Sequence, residues 1–317
     1  MNPELIYTAD VDAYGAGRHS LAPRCRSGEL LRIRAGVYVP SGVWHQLSVW
    51  ERNRTRIRAA VERGPRSRIL IQQSAAPFWG LPVLGTSDSI MLLAVPPSHG
   101  RKRGDLRWTV RKLLEPVTEM AGVRLTSRVQ TVLDMAAYLE FERAVPAMDH
   151  VLRPDPAHGL PALPKERLWE LAEDLPGLTR QNRAKQVIDF ADRRSESPGE
   201  SYSRAMLHRH GFPEPELQHE FVTSAGRFRT DFFWKDQSLV GEFDGAVKYG
   251  RGPAAEAPSW DTLLQEKRRE DAIRATGVGF VRWSWTDGGK PAQHPDGLVQ
   301  RLMSAGLPRL PRRRSSR

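Results

Sequence analysis

The chain has 317 residues, of which 39% are hydrophobic, and this is enough for two or three domains with ordinary cores. Its 48 Lys and Arg residues outnumber its 37 Asp and Glu residues, giving a net charge of +11, which indicates either a polyanionic partner, most often a nucleic acid, or a solvated arginine-rich surface. The single cysteine, Cys25, excludes a disulfide within the chain and argues against a cysteine-based zinc site, and no apolar stretch approaches the roughly 18 residues of a membrane span.

The first 45 residues combine a short helix with a basic hairpin. Residues 1–21 contain acids and lack an apolar core, so we expect no signal peptide and a reducing, cytoplasmic location. Apolar residues alternate from Leu31 to Val39, which predicts strand structure, and Gly36 stands where a tight hairpin would turn. A helix followed by a basic hairpin is typical of a winged helix-turn-helix domain. The candidate nucleic-acid-binding residues of this domain are Arg18, Arg32 and Arg34.

The next part of the chain alternates between helix and strand patterns. A spacing of about 3.6 residues between apolar positions predicts a helix over residues 46–63, and a strand is predicted from Ser89 to Val95. A basic loop is predicted from Ser98 to Arg107. The pattern from Val123 to Ala136 then predicts a strand that leads into a capped helix.

Three segments of this region resemble the AbiEi-type antitoxin family of abortive-infection systems and its actinobacterial relatives. They are GELLRIRAGVYV, QQSAAPFWGLP and RLTSRVQTVLDMAA, and they lie in order between about residues 10 and 155. The resemblance implies a winged-helix DNA-binding domain over residues 1–45 and an α/β middle domain over residues 46–155. It leaves open whether a toxin or another defence-system protein encoded nearby is a partner.

A connector follows the middle domain. Four prolines interrupt regular structure at its start, and helices are predicted from Lys165 to Leu175 and from Arg180 to Arg193. We interpret residues 156–196 as a helical linker. The last residues, 306–317, are interpreted as a basic disordered tail that adds phosphate affinity.

Two strand patterns in the last third carry acidic residues. The patterns Phe228–Trp234 and Ser238–Asp244 flank a short polar stretch, and if its Asp-Gln pair forms a two-residue turn, Asp231 lies opposite Glu242 on one face. Opposed carboxylates repel each other, and their oxygens suit Mg²⁺ or Mn²⁺. The alternative is that one of the two acids faces solvent and pairs with an arginine.

Charged helices are predicted on both sides of these strands. Glu200 lies in the first turn of the earlier helix, where a carboxylate either belongs to a site or only favours the helix dipole. Residues 261–276 predict a strongly charged helix that contains Lys267, and for most of its charges a solvated face is the simpler interpretation. A strand from Val278 to Trp285 completes the series.

This order of elements resembles the PD-(D/E)XK nuclease superfamily, and more narrowly the branch related to the very-short-patch mismatch repair endonuclease. The segments that carry the resemblance are SPGES, FRTDFFW, VGEFDGAVKY and EKRREDAIRATGVGFVRWSW. It implies a restriction-endonuclease-like mixed sheet flanked by helices, within a nuclease-like domain over residues 197–305. The implied metal ligands are Asp231 and Glu242 for Mg²⁺ or Mn²⁺, with Glu200 as an accessory acid and Asp244 as a second acid of the motif.

One position departs from the superfamily motif, because Asp244 stands where the motif has a lysine that offsets charge in the transition state. Lys248 or Lys267 would take that role, or the domain would bind DNA without cutting it. Further candidates for phosphate binding near the acids are Arg227, Arg229, Arg268 and Arg269.

The sequence therefore predicts an α/β protein in the broad sense, an α+β multi-domain chain. Its expected function is that of a DNA-binding, metal-dependent endonuclease in phage defence or DNA repair. The alternative is an AbiEi-like antitoxin or transcriptional repressor whose nuclease-like domain is inactive. The sequence contains no glycine-rich phosphate loop, the motif that would indicate a nucleotide-dependent enzyme.

Overall fold

A computed structural model describes residues 3–13, 21–65, 68–85, 87–94, 99–245 and 259–310. Within these residues the chain is a mixed α/β protein with three sheets, one antiparallel and two mixed. It divides into two compact units. The first contains Met1–Tyr138 and Lys165–Lys185, and the second contains Leu139–Pro164, Gln186–Lys248 and Glu256–Arg317. No helix in the described part of the chain is long and apolar enough to cross a membrane.

The first unit carries two of the sheets. Its elements up to residue 138 are β1 (Ile6–Tyr7), α1 (Thr8–Ala13), α2 (Leu21–Arg26), β2 (Leu30–Arg34), β3 (Val37–Pro40), α3 (Ser41–Gln46), α4 (Val49–Val61), β4 (Ile69–Leu70), α5 (Gln72–Ala75), a 3₁₀ helix (Ala76–Trp79), β5 (Ile90–Leu93), β6 (Arg101–Arg103), β7 (Leu106–Thr109), β8 (Thr118–Met120), β9 (Val123–Leu125) and α6 (Arg128–Tyr138). The strand orders are β1-β3-β2 and β6-β7-β5-β4-β9-β8.

The small sheet contains the predicted basic hairpin. β2 and β3 are antiparallel and turn at Gly36, whose φ of 76° is a conformation that glycine adopts without strain. The helix predicted over residues 46–63 begins only at Val49. The delay has a local cause, because the Ser48 hydroxyl accepts a bond from the Glu51 amide and the Glu51 carboxylate accepts one from the Ser48 amide, forming a capping box.

The six-stranded sheet corrects one prediction. The segment Ser98–Arg107, predicted to be a loop, contains the hairpin of β6 and β7, which turns at Gly104 with φ of 61°. All three residues of β6 are exposed, so the strand lacks the apolar alternation from which strands are recognised. The prediction of a strand leading into a helix after Val123 is confirmed by β9 and α6.

The remaining helices and strands belong mostly to the second unit. They are α7 (Phe141–Val151), α8 (Lys165–Glu173), α9 (Leu178–Phe190), α10 (Pro198–Arg209), β10 (Glu216–Thr223), β11 (Gly226–Trp234), β12 (Leu239–Asp244), α11 (Trp260–Arg274), β13 (Gly279–Ser284), α12 (Trp285–Gly288) and α13 (Leu298–Ser304). A buried ion pair joins α10 to α7, since Arg204 Nη2 donates to both carboxylate oxygens of Asp149 at 2.8 Å.

The sheet of the second unit has the order β10-β11-β12-β13. Its first three strands are antiparallel, and β13 lies parallel to β12, which requires a crossover such as α11 between them. One face packs Phe232, Trp234 and Trp283 into the main core of the unit, and Val240 packs with Ile273 of α11 in a separate cluster.

Candidate acidic site

The hairpin of β11 and β12 has the register predicted from the sequence. The pairs Phe232 with Gly241 and Trp234 with Leu239 lie opposite each other, and the turn closes with a bond from Ser238 N to Lys235 O of 3.1 Å. The next pair in this register is Asp231 with Glu242. There Asp231 Oδ2 accepts a hydrogen bond from the Phe243 amide at 2.8 Å, so its carboxylate lies against the backbone of β12.

Glu200 reaches the same end of the sheet because α10 approaches β12 closely. A Cβ on Gly199 would lie 1.9 Å from Phe243 Cε1, so only glycine permits this packing. Ser197 caps the helix by accepting from the Glu200 amide at 3.2 Å. Glu200 is buried, and its Oε2 accepts from the Glu196 amide and from Gln218 Nε2, each at 2.9 Å.

Gln218 is a residue of this site that the sequence did not indicate. The pairs Leu217 with Phe232 and His219 with Thr230 place it opposite Asp231. Its φ of 56° is uncommon for a residue other than glycine and marks a strained position within β10. Sites often contain such strain, but no local pattern distinguishes this glutamine from any other in a strand.

The buried Glu200 and Glu242 and the partly buried Asp231 are close enough to affect the ionisation of Asp231. The pKa of Asp231 is raised to about 7, first by burial and then by the charges of Glu200 and Glu242, against the Phe243 amide and Arg269, which lower it. Burial also raises the pKa of Glu200, opposed by the bonds from Ser197 and the Glu196 amide. Burial therefore disfavours the charged forms of Asp231 and Glu200.

Glu242 differs from the other acids in being bound by two arginines. Arg269 of α11 donates from Nη2 to Oε1 at 2.5 Å and from Nη1 to Oε2 at 3.2 Å. Arg282, whose Cα lies opposite that of Glu242 in the parallel ladder, donates to Oε2 at 3.1 Å. Both arginines also bind Glu266. The alternative interpretation, that one of the acids faces solvent and pairs with an arginine, holds only in part, because Glu242 pairs with arginines but is buried.

A divalent cation is the cofactor that the resemblance implies for Asp231 and Glu242. Within the described residues, no group of three His, Cys, Asp or Glu side chains is placed to hold a metal ion, so there is no complete protein cage. Magnesium commonly binds through one or two carboxylates and keeps several waters. Asp231 and Glu242 fit that simpler requirement in chemical type and register, provided that Glu242 gives up a contact with an arginine.

Two of the other predicted catalytic residues, Asp244 and Lys267, are exposed. Asp244 is at the exposed end of β12, where Ser284 is its partner in the ladder. Lys267 is an exposed residue of α11. Lys248 lies outside the described residues.

The predicted phosphate-binding arginines fall into two groups. Several are engaged with acids: Arg34 with Asp105, Arg227 with Glu220, Arg229 with Glu196, and Arg269 with Glu242. Arg32 and Arg268 are exposed, and no ion pair joins either of them to a carboxylate of the described residues. Arg18 lies outside the described part of the chain.

Fold and site together define a mixed α/β chain with a largely buried acidic cluster at one end of a four-stranded sheet. No family model matches the chain. It is similar to two proteins of Mycobacterium tuberculosis, "Uncharacterized protein MT2308" of strain CDC 1551 / Oshkosh and "Uncharacterized protein Rv2248" of strain ATCC 25618 / H37Rv. Each is 29% identical over 163 residues, covering 51% of this chain and 55% of the relative.

The chain thus spans about half the length of the curated relatives it matches. A solved structure titled "Crystal structure of RV2827C protein from Mycobacterium tuberculosis" is similar with a TM-score of 0.38 and 16% identity, over 65% of this chain and 75% of that one. We therefore draw the function from the residues of the chain itself.

Proposed function

We propose that the second unit is a metal-dependent nuclease domain of the PD-(D/E)XK type that hydrolyses phosphodiester bonds in DNA. The observation that carries the proposal is the cluster of the buried Glu200 and Glu242 with the partly buried Asp231, in which the pKa of Asp231 rises to about 7. Repelling buried carboxylates cost stability, and a bound divalent cation offsets that cost. The element order α10, β10, β11, β12, α11, β13 supports the proposal, since it is the order implied by the resemblance.

In this proposal Asp231 and Glu242 hold Mg²⁺ or Mn²⁺. The cation would polarise the scissile phosphate and lower the pKa of a bound water. Glu200 is the accessory acid, and its bond with Gln218 holds that side chain beside Asp231. Asp244 is the second acid at the open end of the strand, and Lys267, or Lys248, supplies positive charge to the phosphate in the transition state.

The first unit would supply DNA affinity in this proposal. Residues 1–45 would form a winged helix-turn-helix domain, with the β2–β3 hairpin as the wing and Arg32 as an exposed phosphate contact. Arg268 on α11 would hold the substrate strand near the acids. The net charge of +11 supports a polyanionic substrate, and phage defence or DNA repair would be the setting.

Cleavage assays with matched variants test the proposal. Supercoiled, linear and mismatched DNA would be incubated with the full chain in Mg²⁺ or Mn²⁺, together with Asp231→Asn, Glu242→Gln and Asp236→Asn proteins. Asp236 is an exposed acid in the turn of the same hairpin, so its variant controls for charge removal. We expect cleavage by the wild type and by Asp236→Asn, and none by the other two. A wild type that cleaves none of these substrates with either metal refutes the proposal.

A second candidate function is DNA binding without cleavage, as in an AbiEi-like repressor. The specific observation in its favour is that Arg269 and Arg282 already neutralise Glu242. A footprint upstream of the protein's own gene that persists in EDTA would support it, and a metal requirement for the footprint would count against it. This candidate also implies a toxin or other defence protein encoded nearby, which co-purification with the product of a neighbouring gene would test.

A further inference from the structure

The β6–β7 hairpin of the first unit concentrates positive charge. Four cations lie between Arg101 and Arg107, and all four are exposed: Arg101, Lys102, Arg103 and Arg107. The hairpin's one carboxylate, Asp105, is engaged by Arg34 Nη1. In the part of the chain that the structure describes, no carboxylate forms an ion pair with any of the four cations.

The ladder distributes these charges over both faces of the hairpin. Arg101 lies opposite Trp108, Lys102 opposite Arg107, and Arg103 opposite Leu106. Because side chains alternate along a strand, Arg101 and Arg103 share one face, while Lys102 and its partner share the other. Like charges directly opposite each other destabilise a strand pair, so a bound anion would relieve the repulsion between Lys102 and Arg107. The Arg101 guanidinium lies 4.5 Å from the centre of the Trp108 ring, which orients it.

Further cations surround the base of the hairpin. The pair of Arg34 and Asp105 ties it to β2, which also carries the exposed Arg32. The pKa of Arg68 is lowered by burial and then by the charges of Arg34 and Arg103, which places these three guanidiniums near one another. The basic surface therefore continues from the hairpin towards the β2–β3 hairpin within the same unit.

We infer that the β6–β7 hairpin, which lies at the edge of the six-stranded sheet, binds the phosphate backbone of double-stranded DNA. Because β7 also pairs with β5 and Leu106 is buried, the hairpin presents its exposed cations from the sheet edge and not as a separate ribbon. Contacts from Lys and Arg to phosphates supply affinity for a duplex without reading its sequence. The inference extends DNA contact to a segment outside the acidic site, and it rests on the proposed function only for the choice of DNA.

Salt-dependent binding tests the inference. The affinity of the full chain for a labelled DNA duplex would be measured by fluorescence anisotropy in EDTA over a series of salt concentrations. Each of Lys102→Gln, Arg103→Gln and Arg107→Gln should reduce the slope of log K against log salt by about 1. The triple variant should reduce it by roughly 2.7, so that between roughly 50 and 200 mM salt it loses about 40-fold less affinity than the wild type.

The control is a triple variant that removes the same charge elsewhere. Arg143, Arg193 and Lys235 are exposed cations of the second unit, and their combined change to Gln should leave the slope unchanged. Equal slopes for the hairpin variant and the wild type, or equal losses in the two triple variants, overturn the inference.

Two further outcomes are distinguishable. Basic residues on an edge strand also prevent edge-to-edge association. If that is their role, the hairpin variant binds DNA as the wild type does but sediments as a larger species, and the inference fails. Thermal unfolding should show the hairpin variant to be at least as stable as the wild type, because the repulsive pair of Lys102 and Arg107 is removed. If the triple variant does not fold, the salt slope of Lys102→Gln alone tests the inference. Because binding is measured in EDTA, a chain that cleaves no DNA still gives a decisive result.

Discussion

Replacing Arg269 by glutamine perturbs the acidic site at its most informative contact. The Arg269 guanidinium binds both carboxylate oxygens of Glu242, and the side chains of the two residues are only 21% and 12% exposed. Removing it leaves Glu242 with Arg282 as its remaining charged partner, near Asp231, whose own pKa is already raised to about 7. The variant therefore adds an uncompensated negative charge to a buried cluster.

The size of the effect follows from that geometry. Removing one partner of a buried ion pair typically costs about 3–5 kcal/mol. Because Arg282 keeps its contact with Glu242 and Arg269 is partly exposed, we expect Arg269→Gln to lower the free energy of unfolding by about 2–3 kcal/mol. A divalent cation bound by the released carboxylate at a concentration of about one hundred times its Kd would return about 2.7 kcal/mol.

Thermal unfolding at a pH of about 8, above the pKa of Asp231, measures both the loss of stability in the variant and its recovery by a bound cation. The wild type, Arg269→Gln and Arg268→Gln would be compared in EDTA and in Mn²⁺. Arg268 is the exposed neighbour on the same helix and provides a control with the same loss of charge. We expect a lower Tm for Arg269→Gln in EDTA and a larger rise in Mn²⁺ than for the other two proteins. An identical metal response in all three proteins, or an Arg269→Gln Tm equal to that of the wild type in EDTA, refutes the reasoning.

Three further predictions concern packing and buried charge. Arg204→Met should lower the free energy of unfolding by about 3–5 kcal/mol in urea denaturation, because Asp149 is left as a buried carboxylate without its partner; adding Asp149→Asn should recover part of the loss. Gly199→Ala should lower the Tm, since its Cβ would overlap the Phe243 ring, and Phe243→Leu should partly restore it. Burial raises the pKa of Asp134 to about 7, so the folded state holds this proton more tightly and the contribution of Asp134 to the free energy of unfolding falls as pH rises from about 4 to 7. Asp134→Asn lacks this loss, so its free energy of unfolding in urea should rise relative to that of the wild type by up to about 4 kcal/mol between about pH 4 and 7. Equal pH profiles for the two proteins would contradict the raised pKa of Asp134.

The parts of the site that were predictable are those determined by neighbours in the sequence. The register of β11 against β12 follows from a short polar turn between two alternating strands, so the pairs from Phe232 with Gly241 to Trp234 with Leu239 could be predicted from spacing alone. Asp231 and Glu242 are the next residues in that register. Glu200 could be placed in a first helical turn by its Pro-Gly start, which the structure confirms as α10. In the first unit, the hairpin at Gly36 was predictable for the same local reason.

The parts that were missed depend on residues far apart in the chain. Arg282 meets Glu242 only because β13 pairs with β12 in parallel, a contact that spans 40 positions and has no local signature. Gln218 reaches Glu200 through the strained conformation of a strand residue, which composition does not reveal. The β6–β7 hairpin was predicted to be a loop because a fully exposed edge strand has no buried face, and periodicity reports only burial.

The two arginines on Glu242 are not equivalent, and the difference bears on how a cation could enter. Arg282 is held opposite Glu242 by the strand ladder, whereas Arg269 reaches from a helix and keeps bonds to Glu266 and to the Arg229 carbonyl if it releases Glu242. Release of Glu242 by Arg269 therefore disturbs less of the fold than release by Arg282 would. Even with Arg269 in place, the pKa of Asp231 stays raised to about 7, because burial and the charges of Glu200 and Glu242 outweigh Arg269 and the Phe243 amide. A divalent cation that replaced one guanidinium at Glu242 would bring two positive charges where the guanidinium brings one. It would therefore offset more of the negative charge of the three carboxylates.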